Sequence, residues 1–380
     1  MLNRSFHQIR RHLAKQVQEV IHTPDAKIND TGLKKILWYT SRLYGSAAFF
    51  RRKMYRKKNR FLKKLPVPVI SIGNLAVGGT GKTPMTIYLA KLLRQKHYFP
   101  AILSRGYGGA LEQKGGIVSN GHSILADSTQ AGDEPLMMAK QLADIPLIVG
   151  RHRYQSGLKA IDKFGCNLII LDDGFQHLSL FRDLNIVLMD ALRPIGNGYL
   201  LPRGILREPT SALVDADAVV FTRCPLKKPP LAAEILPLIR RFPLFWAKQD
   251  AYIDRVFDGS KKINAPALNN LNGKKVYLFS GIARNDDFHQ TIAAAKAQIM
   301  GHDIFGDHHR YTKNELDTII KMAVKTRSDW LLTTEKDFAR ITTPIQWPLP
   351  FAAVGVKVIF PNDAFDQFVL RGCLCLKKAN

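Results

Sequence analysis

A glycine-rich segment that ends in Lys82 and Thr83 contains the residue types that point most directly to chemistry. Glycines allow consecutive backbone N–H groups to turn inward around an anion, and the N-terminus of a following helix adds the positive end of its dipole. Lys82 can reach the β- and γ-phosphates of a nucleotide, and the Thr83 hydroxyl can bind Mg²⁺. The predicted phosphate-binding loop consists of Ala76, Val77, Gly78, Gly79, Thr80, Gly81, Lys82 and Thr83.

This loop departs from the usual G-x-x-x-x-G-K-[ST] pattern at its first position, where Ala76 replaces glycine. The three later glycines still supply the necessary backbone freedom. An apolar run, Val67–Ile72, precedes the loop, and a helical pattern, Thr86–Arg94, follows it. The alternative is a glycine turn that stands before Gly-Lys-Thr by chance, but strand, loop and helix is the order that phosphate binding requires.

Apolar runs recur through residues 67–250, with helical patterns between them. This alternation predicts an α/β fold of the P-loop NTPase type, in which a parallel sheet carries helices on both faces. Functional side chains should gather at the carboxyl ends of the strands. The expected strands are Val67–Ile72, Ala101–Leu103, Pro146–Val149, Asn167–Leu171, Asn185–Met189 and Ala218–Phe221.

The last part of the chain repeats this alternation on a smaller scale, which predicts a second, smaller α/β domain. Strands are expected at Lys275–Phe279, Trp330–Leu332 and Phe351–Val358. Thr312 and Glu315 form a capping box that opens a helix at Glu315–Lys325. The predicted domains are a basic N-terminal extension at 1–32, an amphipathic basic helix at 33–65, the phosphate-loop domain at 66–250 and the smaller domain at 251–380.

Two adjacent carboxylates, Asp172 and Asp173, stand at the end of one predicted strand. In nucleotide-binding proteins of this type, an aspartate in that position holds the Mg²⁺ of the bound nucleotide. Adjacent carboxylates repel each other, and a cation relieves the repulsion. The alternative is a simple turn, since Asp-Asp-Gly is common in turns. Which aspartate faces the metal stays open, because neighbours on a strand point in opposite directions.

Phosphoryl transfer to a hydroxyl also needs a group that orients or deprotonates the acceptor, and cations for the transferring group. Asp133 is a candidate base, and His308 is a candidate partner that tunes it. Arg153 and Arg207 are candidate clamps. Asp133 and His308 fall in different predicted domains, so their contact is expected to form across a cleft that excludes water on closure. Taken singly, each residue fits a surface or capping role better than a catalytic one.

An apolar, aromatic-rich helix is predicted near the N-terminus, with Ile36, Leu43, Ala47, Phe50 and Met54 at three- and four-residue steps and their multiples. Such a helix with a basic end suits the face of an anionic membrane. The alternative is a helix packed on its own domain, with a solvated basic end. No nucleic-acid-binding motif lies beside it, so we expect no nucleic-acid partner. The basic residues are Arg51, Arg52, Lys53, Arg56, Lys57, Lys58 and Arg60.

The charge and the cysteines of the chain indicate the kind of partner and the redox compartment to expect. The net charge is +25, and residues 1–65 carry 17 Lys and Arg against 3 Asp and Glu. This excess points to an anionic partner. The 4 cysteines lack zinc-ligand spacing, which indicates a reduced cytosolic setting. No run of 18 apolar residues is present, so a spanning helix is not expected.

Taken together, the motifs resemble the tetraacyldisaccharide 4'-kinase family, which makes lipid A precursors in Gram-negative bacteria. The resemblance covers about residues 33–350. A phosphate loop alone is common to many families, but Asp-Asp-Gly-Phe-Gln-His in this order with the others is specific. The motifs are Gly73-Asn74, Gly78–Pro84, Ser104–Gly108, Gly132–Pro135, Asp172–His177, Leu206–Pro209, Phe279–Ile282, Asp307–His309 and Thr333–Asp337.

The resemblance implies ATP-Mg²⁺ as the donor and the 4'-hydroxyl of a lipid-linked disaccharide 1-phosphate as the acceptor. It implies a peripheral protein, expected as a monomer, on the cytoplasmic face of the inner membrane. It also implies that Asp133, paired with His308, acts on the hydroxyl. The metal set expected within the matching motifs is Thr83, Asp172, Asp173, Gln176 and Glu208.

Two other functions remain open from the residues alone. One is a different phosphate-loop enzyme such as a GTPase, although the Asn-Lys-x-Asp guanine motif is missing and Thr334–Asp337 only superficially matches it. The other is a nucleotide-gated binding protein attached to a membrane or to nucleic acid.

Overall fold

The computed structural model describes residues 16–17, 19–21, 32–57, 62–225, 227–231, 233–259, 261–341 and 345–378. The chain forms two compact units from separate segments. The first comprises the described parts of Met1–Lys82, Leu168–Lys248 and Phe360–Asn380, and the second those of Thr83–Asn167 and Gln249–Ile359. The junction after Lys248 is close to the predicted boundary after residue 250. The other junctions have no counterpart there, so the contiguous domains, including the largely undescribed 1–32 extension, stay a prediction.

The secondary structure alternates strands and helices along most of the chain. The strands are β1 (Val69–Asn74), β2 (Pro100–Ser104), β3 (Gly116–Asn120), β4 (Pro146–Val149), β5 (Leu168–Asp172), β6 (Leu184–Asp190), β7 (Ala218–Thr222), β8 (Leu244–Trp246), β9 (Lys248–Gly259), β10 (Lys261–Ile263), β11 (Lys275–Ser280), β12 (Gln298–Ile304), β13 (Trp330–Thr334) and β14 (Trp347–Ile359).

The helices connect these strands and flank them in the sequence. They are α1 (Gly32–Lys57), α2 (Lys82–Gln95), α3 (Leu111–Lys114), α4 (Ser128–Ala131), α5 (Asp133–Gln141), α6 (Arg153–Phe164), α7 (Leu236–Ile239), α8 (Asn285–Ala294), α9 (Lys313–Lys325), α10 (Glu335–Phe338) and α11 (Ala364–Lys378), with 3-10 turns at Thr210–Asp215 and Leu268–Leu271. The predicted capping box of Thr312 and Glu315 is present at the start of α9.

In the first unit, parallel strands lie side by side in the order β5-β1-β6-β7-β8. Strands β1, β5, β6 and β7 are buried along their whole length, which explains their near-continuous apolar sequences. Ile72 of β1 pairs with Asp172 of β5, so the carboxyl ends of these neighbouring strands coincide. The phosphate loop and the aspartate pair therefore begin at the same edge of the sheet.

The second unit contains the neighbouring strands β3-β4-β2 and a six-stranded sheet in the order β10-β9-β14-β13-β11-β12. In the latter, β12, β11, β13 and β14 run parallel. Each strand predicted from an apolar run is present. Strands β3, β8, β9, β10 and β12 were not predicted, because they are short or mix polar residues with apolar ones.

One face of α1 packs on the first unit. Its buried residues are Leu37, Ser41, Ala48 and Arg52, whose spacing of four and seven places them on one side of a helix. The Ser41 hydroxyl donates a 2.8 Å hydrogen bond to the carbonyl of Leu200. The interpretation of a helix packed on its own domain is therefore correct for this face.

Buried charge fixes the C-terminal part of α1. The Arg52 side chain, 4% exposed, pairs with Glu208 at 3.3 Å and with Asp215. Its guanidinium also lies 4.7 Å from the ring centre of Phe175. Arg51 pairs with the other oxygen of Glu208 at 2.8 Å. A buried guanidinium is tolerated only where such partners compensate its lost hydration, so these contacts fix how α1 docks.

The predicted apolar stripe lies on a face of α1 that the protein leaves exposed. Ile36, Leu43, Phe50 and Met54 are 62%, 72%, 65% and 45% exposed, and Ala47 is exposed as well. Lys58 and Arg60 of the basic cluster lie outside the described residues. Within the part of the chain that is described, none of the helices has the length and apolar character needed to cross a bilayer.

Candidate active site

The phosphate loop follows β1 and is braced from within by Asn74, the last residue of that strand. The Asn74 amide donates 2.7 Å hydrogen bonds to the Ala76 carbonyl and to the Thr80 hydroxyl. Its oxygen lies 3.4 Å from the Lys82 ammonium. The Asn74 side chain thus contacts residues at the start, in the middle and near the end of the loop and holds them together. Asn74 lies in the Gly73-Asn74 motif, but sequence reasoning assigns no role to it.

The glycines of the loop have the conformations that the pattern predicted. Gly78 and Gly81 adopt φ of 100° and 83°, which side chains with a Cβ rarely tolerate. Ala76 is buried at 5% exposure and packs in the apolar core of the first unit with Leu206. It does not require a positive φ, which explains why alanine can replace the usual glycine.

Two amide groups of the predicted loop are already used inside the protein. The Val77 N–H donates to the Ile205 carbonyl at 2.7 Å, and the Thr80 N–H donates to Gly78 at 3.0 Å. The loop is therefore shaped by its own contacts, and these two amides do not point freely at an anion.

The end of β7 supports the outer side of the loop. The Thr222 hydroxyl donates to the Thr80 carbonyl at 2.8 Å, and the Arg223 guanidinium donates to the Gly79 carbonyl at 3.1 Å. Asp190 holds Arg223 at 2.7 Å. These residues belong to no motif that sequence reasoning recognised, because their role comes from the pairing of β6 with β7.

Lys82 lies beside a carboxylate and a second cation. Its ammonium is 3.6 Å from Asp173, and Arg207 contacts the other oxygen of Asp173 at 3.1 Å. The Lys82 side chain is only 13% exposed. Asp173 therefore balances two cations that could bind phosphate. This contact brings together three residues that the sequence predicted as site residues.

Some of the predicted metal ligands fit a hard cation. Asp172 is buried at the end of β5, and Asp173 has a buried oxygen, Oδ1, that accepts no hydrogen bond. Carboxylate and amide oxygens suit Mg²⁺. Gln176 donates from its nitrogen to the Asn74 carbonyl at 2.7 Å, which leaves its side-chain oxygen for a ligand. In the described residues, no three His, Cys, Asp or Glu side chains form a ready metal cluster.

Two other members of the predicted metal set differ in their surroundings. Thr83 is buried at 3% exposure in the first turn of α2. Glu208 is fully buried, and its two oxygens accept from Arg51 and Arg52 of α1. Its carboxylate therefore anchors α1, and its role toward a metal stays a prediction.

The second unit contains the predicted acid–base pair. His308 Nδ1 lies 3.3 Å from Asp133 Oδ2, although 175 positions separate them in the chain. Asp133 is the first residue of α5, where the helix dipole favours a carboxylate. Both residues fall in the same compact unit, so the contact exists without the cross-domain closure that we had expected.

A third side chain, Arg340, completes this pair. Its Nε donates to Asp133 Oδ2 at 2.7 Å, and its Nη2 lies 3.2 Å from His308 Nδ1. Burial would raise the pKa of Asp133, but the hydrogen bonds from His308 and Arg340 outweigh burial and hold it below its usual value. The hydrogen bond to Asp133 raises the pKa of His308. Sequence reasoning missed Arg340, which lies just beyond the Thr333–Asp337 motif.

Arg153 and His309 have mainly structural surroundings. The Arg153 side chain is buried at 3% exposure and donates to the Gly150 carbonyl. The His309 ring stacks on Phe305 at 4.6 Å and lies 3.2 Å from Glu315. The clamp role of Arg153 stays a prediction.

Comparison with known proteins identifies the family. The sequence model of Tetraacyldisaccharide-1-P 4'-kinase matches residues 33–373. The tetraacyldisaccharide 4'-kinase of Desulfatibacillum aliphaticivorans is 38% identical over 364 residues, which cover 94% of this chain and 97% of that protein. The corresponding protein of Syntrophus aciditrophicus is 39% identical over 334 residues, covering 85% and 87%.

A solved structure supports the same conclusion at the level of the fold. LpxK from Aquifex aeolicus, crystallised in complex with ATP, matches with a TM-score of 0.70 and 31% identity, covering 90% of this chain and 99% of that one. The predicted α/β fold of the P-loop NTPase type is confirmed. The agreement extends over nearly the whole chain, which is far more than a shared phosphate loop would give. The chain belongs to the tetraacyldisaccharide-1-P 4'-kinase family.

Proposed function

We propose that this protein transfers the γ-phosphoryl group of ATP to the 4'-hydroxyl of a tetraacyl disaccharide 1-phosphate, a precursor of lipid A. The observation that carries the proposal is the Asp133–His308 contact in a chain that also has a braced phosphate loop. The named relatives act on this acceptor, and the related LpxK was crystallised with ATP.

The direct test uses purified protein in detergent with γ-labelled ATP and the lipid acceptor. The expected result is one labelled phosphate per disaccharide, with none on an acceptor that has hydrogen in place of the 4'-hydroxyl. Equal labelling of the deoxy acceptor, or ATP hydrolysis alone, would contradict the proposal.

In this proposal, Lys82 binds the β- and γ-phosphates, while Arg207 and Arg153 stabilise the charge of the transferring group. Asp133 accepts a hydrogen bond from the 4'-hydroxyl and orients its oxygen toward the γ-phosphorus. The hydroxyl proton passes to the Asp133–His308 pair as the oxygen–phosphorus bond forms and ADP leaves. The transition state of phosphoryl transfer is loose, so a carboxylate of low basicity is sufficient.

A magnesium ion would be held by Asp172, Asp173, Thr83 and the side-chain oxygen of Gln176, and it would neutralise charge on the phosphate oxygens. Asp173 Oδ1 supports this assignment, because it is buried and accepts no hydrogen bond, with the Lys82 ammonium 3.6 Å away. Glu208 is included among the proposed metal ligands only because it lies in the Leu206–Pro209 motif. Both of its oxygens accept hydrogen bonds from arginines of α1.

We expect Asp172→Asn and Asp173→Asn to raise the Mg²⁺ concentration needed for half-maximal activity at least tenfold, because each removes one negative charge from the ion's surroundings. The measurement is a Mg²⁺ titration at fixed ATP. The exposed Asp162→Asn on α6 is the control and should leave the titration unchanged. An unchanged Mg²⁺ requirement in both variants would show that the aspartate pair is only a turn.

We further propose that the protein acts as a monomer at the cytoplasmic face of the inner membrane, without nucleic acid, and that the exposed stripe of α1 rests among the lipids. The acceptor is a lipid, so the enzyme has to work where the lipid is. The exposed lysines Lys53 and Lys57 add attraction to anionic headgroups.

Replacing Leu43 and Phe50 together by serine should weaken binding to anionic vesicles by about 10²–10⁴-fold, because burying each of these large apolar side chains is worth about 1.5–3 kcal/mol. The measurement is vesicle sedimentation at two salt concentrations. Leu192→Ser removes a side chain with 65% exposure outside α1 and is the matched control. Unchanged sedimentation of a folded double variant would rule out this face.

A further inference from the structure

The Arg340 side chain is buried among the groups that we assign to the acceptor hydroxyl. It is 1% exposed, and all three of its nitrogens have partners. Nε donates to Asp133 at 2.7 Å, Nη1 donates to the Gly281 carbonyl at 2.7 Å, and Nη2 lies 3.2 Å from His308. A guanidinium presents its donors in a rigid fork, so these contacts fix its position.

A second carboxylate, that of Asp337, also binds the Arg340 guanidinium and helps to fix its position. Asp337, which is fully buried, accepts from Arg340 Nη1 at 3.1 Å, from the Gly281 N–H at 3.0 Å and from the Tyr311 hydroxyl at 3.0 Å. The Thr334 hydroxyl donates to its other oxygen at 2.6 Å. The charge of Asp337 therefore balances Arg340, and Nε and Nη2 remain directed at Asp133 and His308.

The geometry gives His308 two mutually exclusive partners. Its Nδ1 lies 3.3 Å from Asp133 Oδ2 and 3.2 Å from Arg340 Nη2. A protonated Nδ1 can donate to Asp133, whereas an unprotonated Nδ1 can accept from Arg340, and one nitrogen cannot do both at once. Among the described residues, the charged Asp307 also lies near the ring, with its carboxylate 4.0 Å from Nε2.

We propose that Arg340 is a positioning residue for phosphoryl transfer: it fixes the Asp133 carboxylate and gives His308 Nδ1 an alternative partner when that nitrogen is unprotonated. The imidazole thus keeps its place in both protonation states. This inference rests on the function proposed above, in which Asp133 orients the acceptor hydroxyl.

Replacing Arg340 by glutamine should lower kcat by about 10- to 100-fold and change KM for ATP little, because Lys82 and its surroundings are untouched. The acidic limb of the pH–rate profile should move to higher pH, since the lost positive charge no longer opposes protonation of Asp133 and His308. Arg340→Lys retains the charge, so its kcat should fall while its acidic limb stays near that of the wild type.

Two further measurements separate positioning from stability. Thermal unfolding reports the structural cost of each variant, and Arg327→Gln, at an exposed arginine of the same unit, controls for net charge. The double variant Asp133→Asn/Arg340→Gln should lose little more activity than Asp133→Asn alone, because Arg340 acts through Asp133. A fully multiplicative loss, or a folded Arg340→Gln protein with the wild-type kcat and pH profile, would overturn the proposal.

Titration of the His308 imidazole by NMR tests the contact without any turnover. Its midpoint should be higher in Arg340→Gln than in the wild type and intermediate or unchanged in Arg340→Lys. An identical midpoint in folded Arg340→Gln would refute the contact. Absence of lipid phosphorylation by the wild type would instead refute the proposed function, so the two failures are distinguishable. If Arg340→Gln does not fold, Arg340→Lys decides the outcome through kcat, because a folded Arg340→Lys protein with the wild-type kcat would overturn the proposal.

Discussion

Replacing Lys82 by alanine should lower kcat by about 10²–10³-fold or more, because the loop loses the cation that neutralises the transferring phosphoryl group. The fold should persist. Arg207 remains 3.1 Å from Asp173, so this carboxylate keeps a cationic partner when the lysine is removed. The Asn74 contacts to Ala76 and Thr80 also stay in place.

The measurement is kcat at saturating ATP, together with thermal unfolding of the same samples. Lys91→Ala removes an exposed lysine from the same helix and should retain wild-type activity. Lys82→Arg keeps the charge but not the compact ammonium, so we expect an intermediate rate. Wild-type turnover in Lys82→Ala would remove the basis for assigning nucleotide binding to this loop.

The second prediction with a large expected effect concerns Asp133 and His308 in the second unit. Asp133→Ala and His308→Ala should each lower kcat by a large part of the roughly 10²–10⁴-fold that general acid–base assistance is worth. The kcat of the double variant should be only a little lower than that of the more impaired single variant, because residues that act as one unit give non-additive losses. The structural reason is the 3.3 Å contact between the two side chains.

His309 provides the control for this cycle. Its ring stacks on Phe305 and contacts Glu315. We therefore expect His309→Ala to lower the unfolding temperature, and to lower kcat less than Asp133→Ala or His308→Ala does. Independent action of Asp133 and His308 would appear as a double loss equal to the product of the two single losses, and the pair would then have to be abandoned.

The sequence predicted the parts of this protein that depend on neighbours along the chain. Buried parallel strands need continuous apolar runs, so β1, β5, β6 and β7 could be recognised directly. Strands β3 and β12 could not, because each mixes polar residues with apolar ones. The same holds for the departure at Ala76, whose tolerance follows from packing against Leu206.

The candidate site shows the same division. Lys82 and Thr83 follow from a local pattern, and Asp133 with His308 followed from the resemblance to a family. Arg340 was missed because nothing local distinguishes it from a surface arginine, and only the fold brings it to Asp133. Glu208 was expected at a metal, whereas its oxygens accept from Arg51 and Arg52. Which groups contact a buried carboxylate depends on the tertiary structure, so a local sequence pattern cannot predict them.

The docking of α1 through Arg52 has a consequence for how the helix can meet a lipid surface. A helix tethered at one end can roll about its own axis until its apolar side faces the lipids. Here Ser41 and Tyr44 hold one part of the helix to Leu200 and Arg207, and Arg52 holds another part, so rolling is blocked. In the proposed membrane-bound state, the protein interior therefore sets the azimuth of α1, and with it the side of the first unit that faces the lipids.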